Sequence, residues 1–160
     1  MSILMWLEST SFGTFVRESE SLLAYPTFST LHTIGLAIIV GLSSVIAIRL
    51  MGFAPTLRLA PLKKLFPVMW LGFVINTFSG TGLALAAATT TLRNPLFIAK
   101  IICVFAAVAI LRVLEIKVFR DPELESKPLD TTSYALSGLL LFMWLFAMVT
   151  GRSIAYEFWS

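Results

Sequence analysis

Seven residues carry the groups from which this chain could build a polar site: Tyr25, His32, Asn76, Lys100, Arg152, Tyr156 and Glu157. His32 is the only histidine, and it lies inside the first long apolar run, "YPTFSTLHTIGLAIIVGL". An unpaired polar group there costs several kcal/mol, so the imidazole needs a partner. It serves either as a metal or haem ligand or as a neutral ring hydrogen-bonded between helices. A single histidine gives no bis-histidine ligation within one chain, so a b-type haem would require a second chain or a different second ligand. Lys100 offers an ammonium to a carboxylate, a quinone oxygen or a haem propionate, with Glu20 and Glu157 as candidate carboxylates within the chain. Its alternative is to snorkel toward the membrane surface. The chain has no HExxH, no glycine-rich phosphate loop and no nucleophile paired with a histidine and a third member. Enzymatic activity is therefore not expected.

The elements that must position these groups follow from composition. Of 160 residues, 58% are hydrophobic and 13% charged, against roughly 25% charged in soluble domains. The mean hydropathy of +0.89 is that of a membrane protein. A helix needs about 20 apolar residues to cross a hydrocarbon core of ~30 Å, so four spans nearly fill the chain and leave it a single transmembrane domain. The net charge of +3 resides in the loops; it reports on topology and lipid headgroups and does not point to nucleic acid. Cys103 is the sole cysteine and excludes an internal disulfide.

The apolar windows run approximately 28–50, 67–88, 94–119 and 134–151. Asn94-Pro95 places proline in a favoured first turn, and Asp130 to Ser133 supplies caps for the last helix. The expected fold is all-α: an antiparallel, up-down four-helix bundle in the membrane. Residues 1–24 mix Trp6, Phe12 and Phe15 with charges, which predicts one short helix lying along the interface. "MSILMWLESTSFGTF" lacks the basic start and small-residue cleavage pattern of a signal peptide, so this segment is expected to be retained.

Arg49, Arg58, Lys63, Lys64, Arg112, Lys117, Arg120 and Lys127 fall on one side of these spans. Arg17, Arg93, Lys100 and Arg152 fall on the other. The positive-inside bias then predicts a bacterial inner-membrane protein with both termini in the periplasm. With this threading His32, Asn76, Lys100, Arg152, Tyr156 and Glu157 converge on the outer half of the bundle, as a binding pocket would. Small residues spaced by four, Gly72–Asn76–Gly80, Ala37–Gly41, Ala99–Cys103 and Ala147–Gly151, predict packing seams. His32 shares a face with Gly35, so its ring should enter a seam and not the lipid.

"RESESLLAYPTFSTLHTIGLA", "RLMG", "PVMWLGF", "NPLFIAK" and "GRSIAY" together resemble a family of bacterial four-helix integral membrane proteins with no assigned activity. The likeness covers most of the chain and implies the fold. Its matching positions Tyr25, His32, Lys100, Arg152 and Tyr156 imply a shared outer cluster. Ala47 stands where the family pattern has an acidic residue, which removes an ion pair at the inner side. The expected function is non-enzymatic: an outer-leaflet pocket that binds a ligand or docks another membrane subunit or a second copy of the chain. The alternatives are electron transfer through a haem shared between chains by His32, and transport of a small solute or metal.

Overall fold

The computed structural model of the protein describes residues 3–19, 21, 23–121 and 130–157, with side chains up to residue 154. Two short helices, α1 (Ile3–Glu8) and α2 (Ser11–Glu18), precede the long helix α3 (Tyr25–Leu50). A four-residue helix α4 (Leu59–Leu62) and a 3-10 turn lead into α5 (Phe66–Ala86). The short α6 (Ala88–Thr91) then connects to α7 (Pro95–Lys117), and α8 (Thr131–Glu157) closes the chain. Four helical segments, Tyr25–Leu50, Leu59–Ala86, Pro95–Lys117 and Thr131–Ile154, are long and apolar enough to cross a membrane. The all-α, four-span architecture expected from the sequence is present.

The boundaries differ from the apolar windows because capping, not hydrophobicity, sets helix ends. Pro26 occupies the first turn of α3, which therefore starts three residues earlier than expected, at Tyr25. The Asn94 side chain accepts from the Leu96 amide at 2.8 Å and opens α7. Asp130 accepts from the Ser133 amide at 2.9 Å and from the Ser133 hydroxyl, so α8 begins at Thr131. Lys117 at the end of α7 donates to the other Asp130 oxygen at 2.6 Å. These three bonds hold the Asp130 carboxyl far below the usual carboxylate range, that from Lys117 foremost.

The extensive packing pairs among the long helices are α3 with α5, α7 with α8, and α3 with α8. Gly35 of α3 meets the α5 backbone directly. A Cβ at Gly35 would lie 2.6 Å from the Asn76 nitrogen and 2.8 Å from the Gly72 oxygen. The Gly72–Asn76–Gly80 stripe is thus the α3–α5 seam. Ala37 and Gly41 do not form a seam within the chain. Both are exposed, and nothing lies within 4 Å of a Cβ added at Gly41. The expectation fails there because α5 and α8 occupy other faces of α3. The main core, with Ile39, Ile46, Leu50, Met69, Leu111, Leu114, Phe119, Leu140 and Trp144, extends toward the end that bears Arg49, Lys63, Lys64 and Lys117.

At the opposite end the N-terminal segment corrects a second expectation. It is two helices, and they dock on the bundle. The Glu8 carboxylate accepts from the Thr89 amide at 3.0 Å and from the Thr89 hydroxyl. Arg17 bridges Glu8 at 2.9 Å and Glu18 at 2.7 Å, and donates to the Ala86 carbonyl at the end of α5. Val16 is fully buried against Phe28 and Ala86, and Phe12 meets Phe28 edge-on at 5.6 Å. Trp6, at 60% exposure, is left facing outward.

The two bonds from Thr89 hold Glu8 below its ordinary pKa. A carboxyl with a depressed folded pKa stabilises above its unfolded pKa and loses that contribution as pH falls through the folded value. The protection factor of the Thr89 amide is therefore expected to be flat from neutral pH down to about 5 and to drop below about 4. Glu8→Gln should give a low, pH-independent protection. Identical pH profiles for the two proteins would exclude this dock.

Candidate functional site

His32 lies two turns into α3, about 10 Å from Tyr25 along the axis. Its Nδ1 is 3.1 Å from the Asn76 carbonyl oxygen, with the Ser79 hydroxyl at 3.4 Å. A carbonyl only accepts, so Nδ1 carries the proton and Nε2 holds a lone pair. The ring rests on Gly80, where a Cβ would come within 2.8 Å of Cε1. The sequence expectation that the imidazole enters a seam is met, and the α3–α5 seam is the one it enters.

The Asn76 side chain is 7% exposed, and its Oδ1 is buried with no hydrogen-bond partner. Leaving a buried acceptor unsatisfied costs about 1–3 kcal/mol. In a helix otherwise made of apolar and small residues such an atom calls for a donor from elsewhere.

Lys100, five residues into α7, is half-buried and crosses toward α8. Its ammonium would be 3.3 Å from a Cβ at Gly151, and its Cδ and Cε 3.4 Å. The absence of a side chain at Gly151 leaves the groove in which it lies. His32 and Lys100 are within electrostatic reach of each other. Among the described residues Lys100 makes no hydrogen bond or ion pair with a carboxylate.

The structure places His32 and Lys100 toward one end of the bundle, sets Asn76 deeper than expected, at the midpoint of α5 under the His32 ring, and leaves other candidates at the rim. Tyr25 is 56% exposed in the first turn of α3. Arg152, next to Gly151, is exposed and engaged in an interaction of its own. Tyr156 and Glu157 lie in the last turn of α8, but their side chains fall outside the described residues, as does Glu20 altogether. Ser79, Gly80 and Gly151 complete the site's walls. The sequence marked Gly80 and Gly151 only as packing positions.

A second polar cluster escaped sequence reading. At the basic end Trp70 of α5 donates to Glu115 of α7 at 3.3 Å, and Arg112 pairs with the same carboxylate at 2.6 Å. The i, i+3 spacing of Arg112 and Glu115 was the available signal. This bond ties α5 to α7 at the basic end. Val104, Ala107, Leu111 and Leu114 of α7 are buried, whereas 95–103 contains no buried residue. The site end of α7 thus packs on α8, as Lys100 does over Gly151, and not on α5.

Chemically, the site presents the Lys100 ammonium, the His32 Nε2 lone pair and the Asn76 amide, whose Oδ1 is buried without a donor and whose Nδ2 is itself a donor. Among the described residues no three His, Cys, Asp or Glu side chains cluster so as to hold a metal ion. The nearest hydroxyl, Ser79, donates to the Ile75 carbonyl at 2.7 Å, which is a helix-stabilising bond and not the setting of a nucleophile. No family model, curated protein or solved structure matches the chain.

Proposed function

We propose that this chain is a non-enzymatic protein of the bacterial inner membrane, with both termini periplasmic, whose outer-leaflet pocket of His32, Asn76 and Lys100 holds a ligand or a partner subunit. One observation carries the proposal: among the described residues the Lys100 ammonium and the His32 Nε2 have no hydrogen-bond partner and lie toward the same end of the bundle, with the unpartnered Asn76 Oδ1 at the midpoint of α5 beneath the His32 ring. Groups so placed are costly unless something completes their bonding. The distribution of lysine and arginine supports placing that end on the periplasmic side.

The experiment is purification from native membranes in mild detergent, with mass spectrometry of co-eluting lipids, small molecules and proteins. Wild type is compared with His32→Leu and Lys100→Met. A stoichiometric species present in the first and depleted roughly tenfold in the variants supports the pocket, a loss equivalent to about 1.4 kcal/mol. The same complement in all three proteins ends the proposal.

A haem shared between chains is the second reading, and one observation favours it. An imidazole whose Nδ1–H is fixed by a carbonyl presents Nε2 in the orientation used for metal ligation. The same purification tests it, because a Soret band absent from His32→Leu would establish the haem. Colourless protein from a haem-replete host would reject it.

A further inference from the structure

We infer that α2 is seated at the boundary between hydrocarbon and headgroups, and that its flank bearing Phe12 and Phe15 is covered by lipid acyl chains of the leaflet at the Ala86 end. Composition alone lays the N-terminal segment along the interface; the packing of α2 on α5 supplies a depth and a face. This surface is separate from the pocket proposed above, and neither depends on the other.

The 21 residues of α5 make a helix about 31 Å long, the thickness of the hydrocarbon core, so Ala86 at its end lies at one edge of that core. α2 packs on the last turn before this edge. Val16 is buried against Ala86, a Cβ at Gly13 would lie 3.3 Å from the Leu85 oxygen, and a Cβ at Gly82 would lie 3.5 Å from the tip of the Phe12 ring. Gly82 precedes Ala86 by four residues, so Phe12 reaches ~6 Å inside the edge. The same surface continues deeper. Phe12 meets Phe28 edge-on at 5.6 Å, Phe28 meets Phe78 at 5.8 Å, and Phe78, one turn below Gly82, is 62% exposed on a helix long and apolar enough to span.

Helical geometry then orients the faces of α2. Val16 is fully buried and marks the side toward the bundle. Phe15 stands about 100° from it on one flank, the one that also carries Phe12, and Arg17 about 100° from it on the other. Arg17 donates to the Ala86 carbonyl, at the edge of the core, whereas Phe12 reaches the deeper Gly82. Phe12 and Phe15, 41% and 44% exposed, therefore face the bilayer interior and Arg17 faces away from it. Ser11, Thr14 and Glu18 lie on the side opposite Val16, level with headgroups and water. Apolar and charged residues thus separate along the membrane normal, as in a helix lying in the interface. Two phenyl rings side by side are poorly placed for water, and a second copy of the chain would have to reach a flank turned toward the bilayer interior.

The test is spin labelling of the full chain in phosphatidylcholine nanodiscs. Cys103→Ser removes the sole cysteine, so Phe15→Cys, Glu18→Cys or Phe78→Cys then carries the only label. Collisions with oxygen, which concentrates in hydrocarbon, are compared with collisions with a nickel chelate, which stays in water. The oxygen-to-nickel ratio at Phe15→Cys should exceed that at Glu18→Cys several-fold and stay below that at Phe78→Cys. Equal ratios at Phe15→Cys and Glu18→Cys put the flank in water and overturn the inference. Few collisions with either probe also overturn it: with spin–spin broadening a second copy covers the flank, and without broadening the chain itself does. Phe15→Trp gives a reading without cysteine. Its added emission should be quenched several-fold more by lipids brominated near the ester end of the acyl chain than by lipids brominated near the methyl end, and little by iodide. Quenching by iodide and by neither lipid overturns the inference, and strongest quenching from the methyl end overturns the depth.

Discussion

Gly35→Ala is expected to destabilise the bundle by about 3 kcal/mol, at the upper end of overpacking costs. The added Cβ would lie 2.6 Å from the Asn76 nitrogen, 2.8 Å from the Gly72 oxygen and 2.9 Å from the Asn76 Cα. All three are backbone atoms of α5, so no rotamer change can clear the clash. The helices must instead separate by roughly 1 Å, and close approach is what holds helices together in lipid, where the hydrophobic effect supplies no drive between them. Separation also stretches the bond from His32 Nδ1 to the Asn76 carbonyl, 3.1 Å long and one turn away. Gly41→Ala is the matched control. It meets nothing within 4 Å and should be neutral or slightly stabilising, by up to about 1 kcal/mol from helix propensity. Unfolding by sodium dodecyl sulfate titration, followed by far-ultraviolet circular dichroism, separates the two. Equal midpoints would refute the α3–α5 seam.

Gly80→Ala is expected to displace the His32 ring and to reduce occupancy of the pocket about tenfold. Its Cβ would approach Cε1 to 2.8 Å and Nδ1 to 3.1 Å. A planar ring wedged between two helices has little room to retreat, so the Nδ1–H bond to Asn76 breaks and a buried donor loses its acceptor. That costs about 1–3 kcal/mol. Two measurements check the assignment. Nitrogen chemical shifts of the imidazole should show the Nδ1-protonated tautomer in wild type and a changed pattern in the variant. In a double-mutant cycle, His32→Ala should relieve most of the Gly80→Ala defect, because the ring that clashes is gone. Additive effects would show that the ring does not rest on Gly80.

Much of this site was legible before folding. The threading of four apolar spans places His32 and Lys100 at the same end, because an antiparallel up-down chain starts its first and third helices there. The shared face of His32 and Gly35, together with the Gly72–Asn76–Gly80 stripe, pointed the imidazole into a seam. Nothing in the spacing showed that Gly151 underlies Lys100 or that Asn76 Oδ1 is left without a partner. Those facts depend on α7 meeting α8, and on which atoms of Asn76 face α3.

Length, hydropathy and the positions of proline, asparagine and aspartate thus determined by themselves the number of long apolar helices and, within a few residues, most of their ends. Such properties are local: a hydrocarbon slab demands a helix of set length, and caps act within one turn. Tertiary structure alone decided that α3 sits between α5 and α8, that Ala37 and Gly41 face outward, and that the first part of α7 packs on α8. It alone brought Glu8 to Thr89 and Trp70 to Glu115. In lipid the buried and the lipid-facing sides of a helix are both apolar, so periodicity does not say which neighbour a face will meet. That choice is made by close packing between segments far apart in the chain.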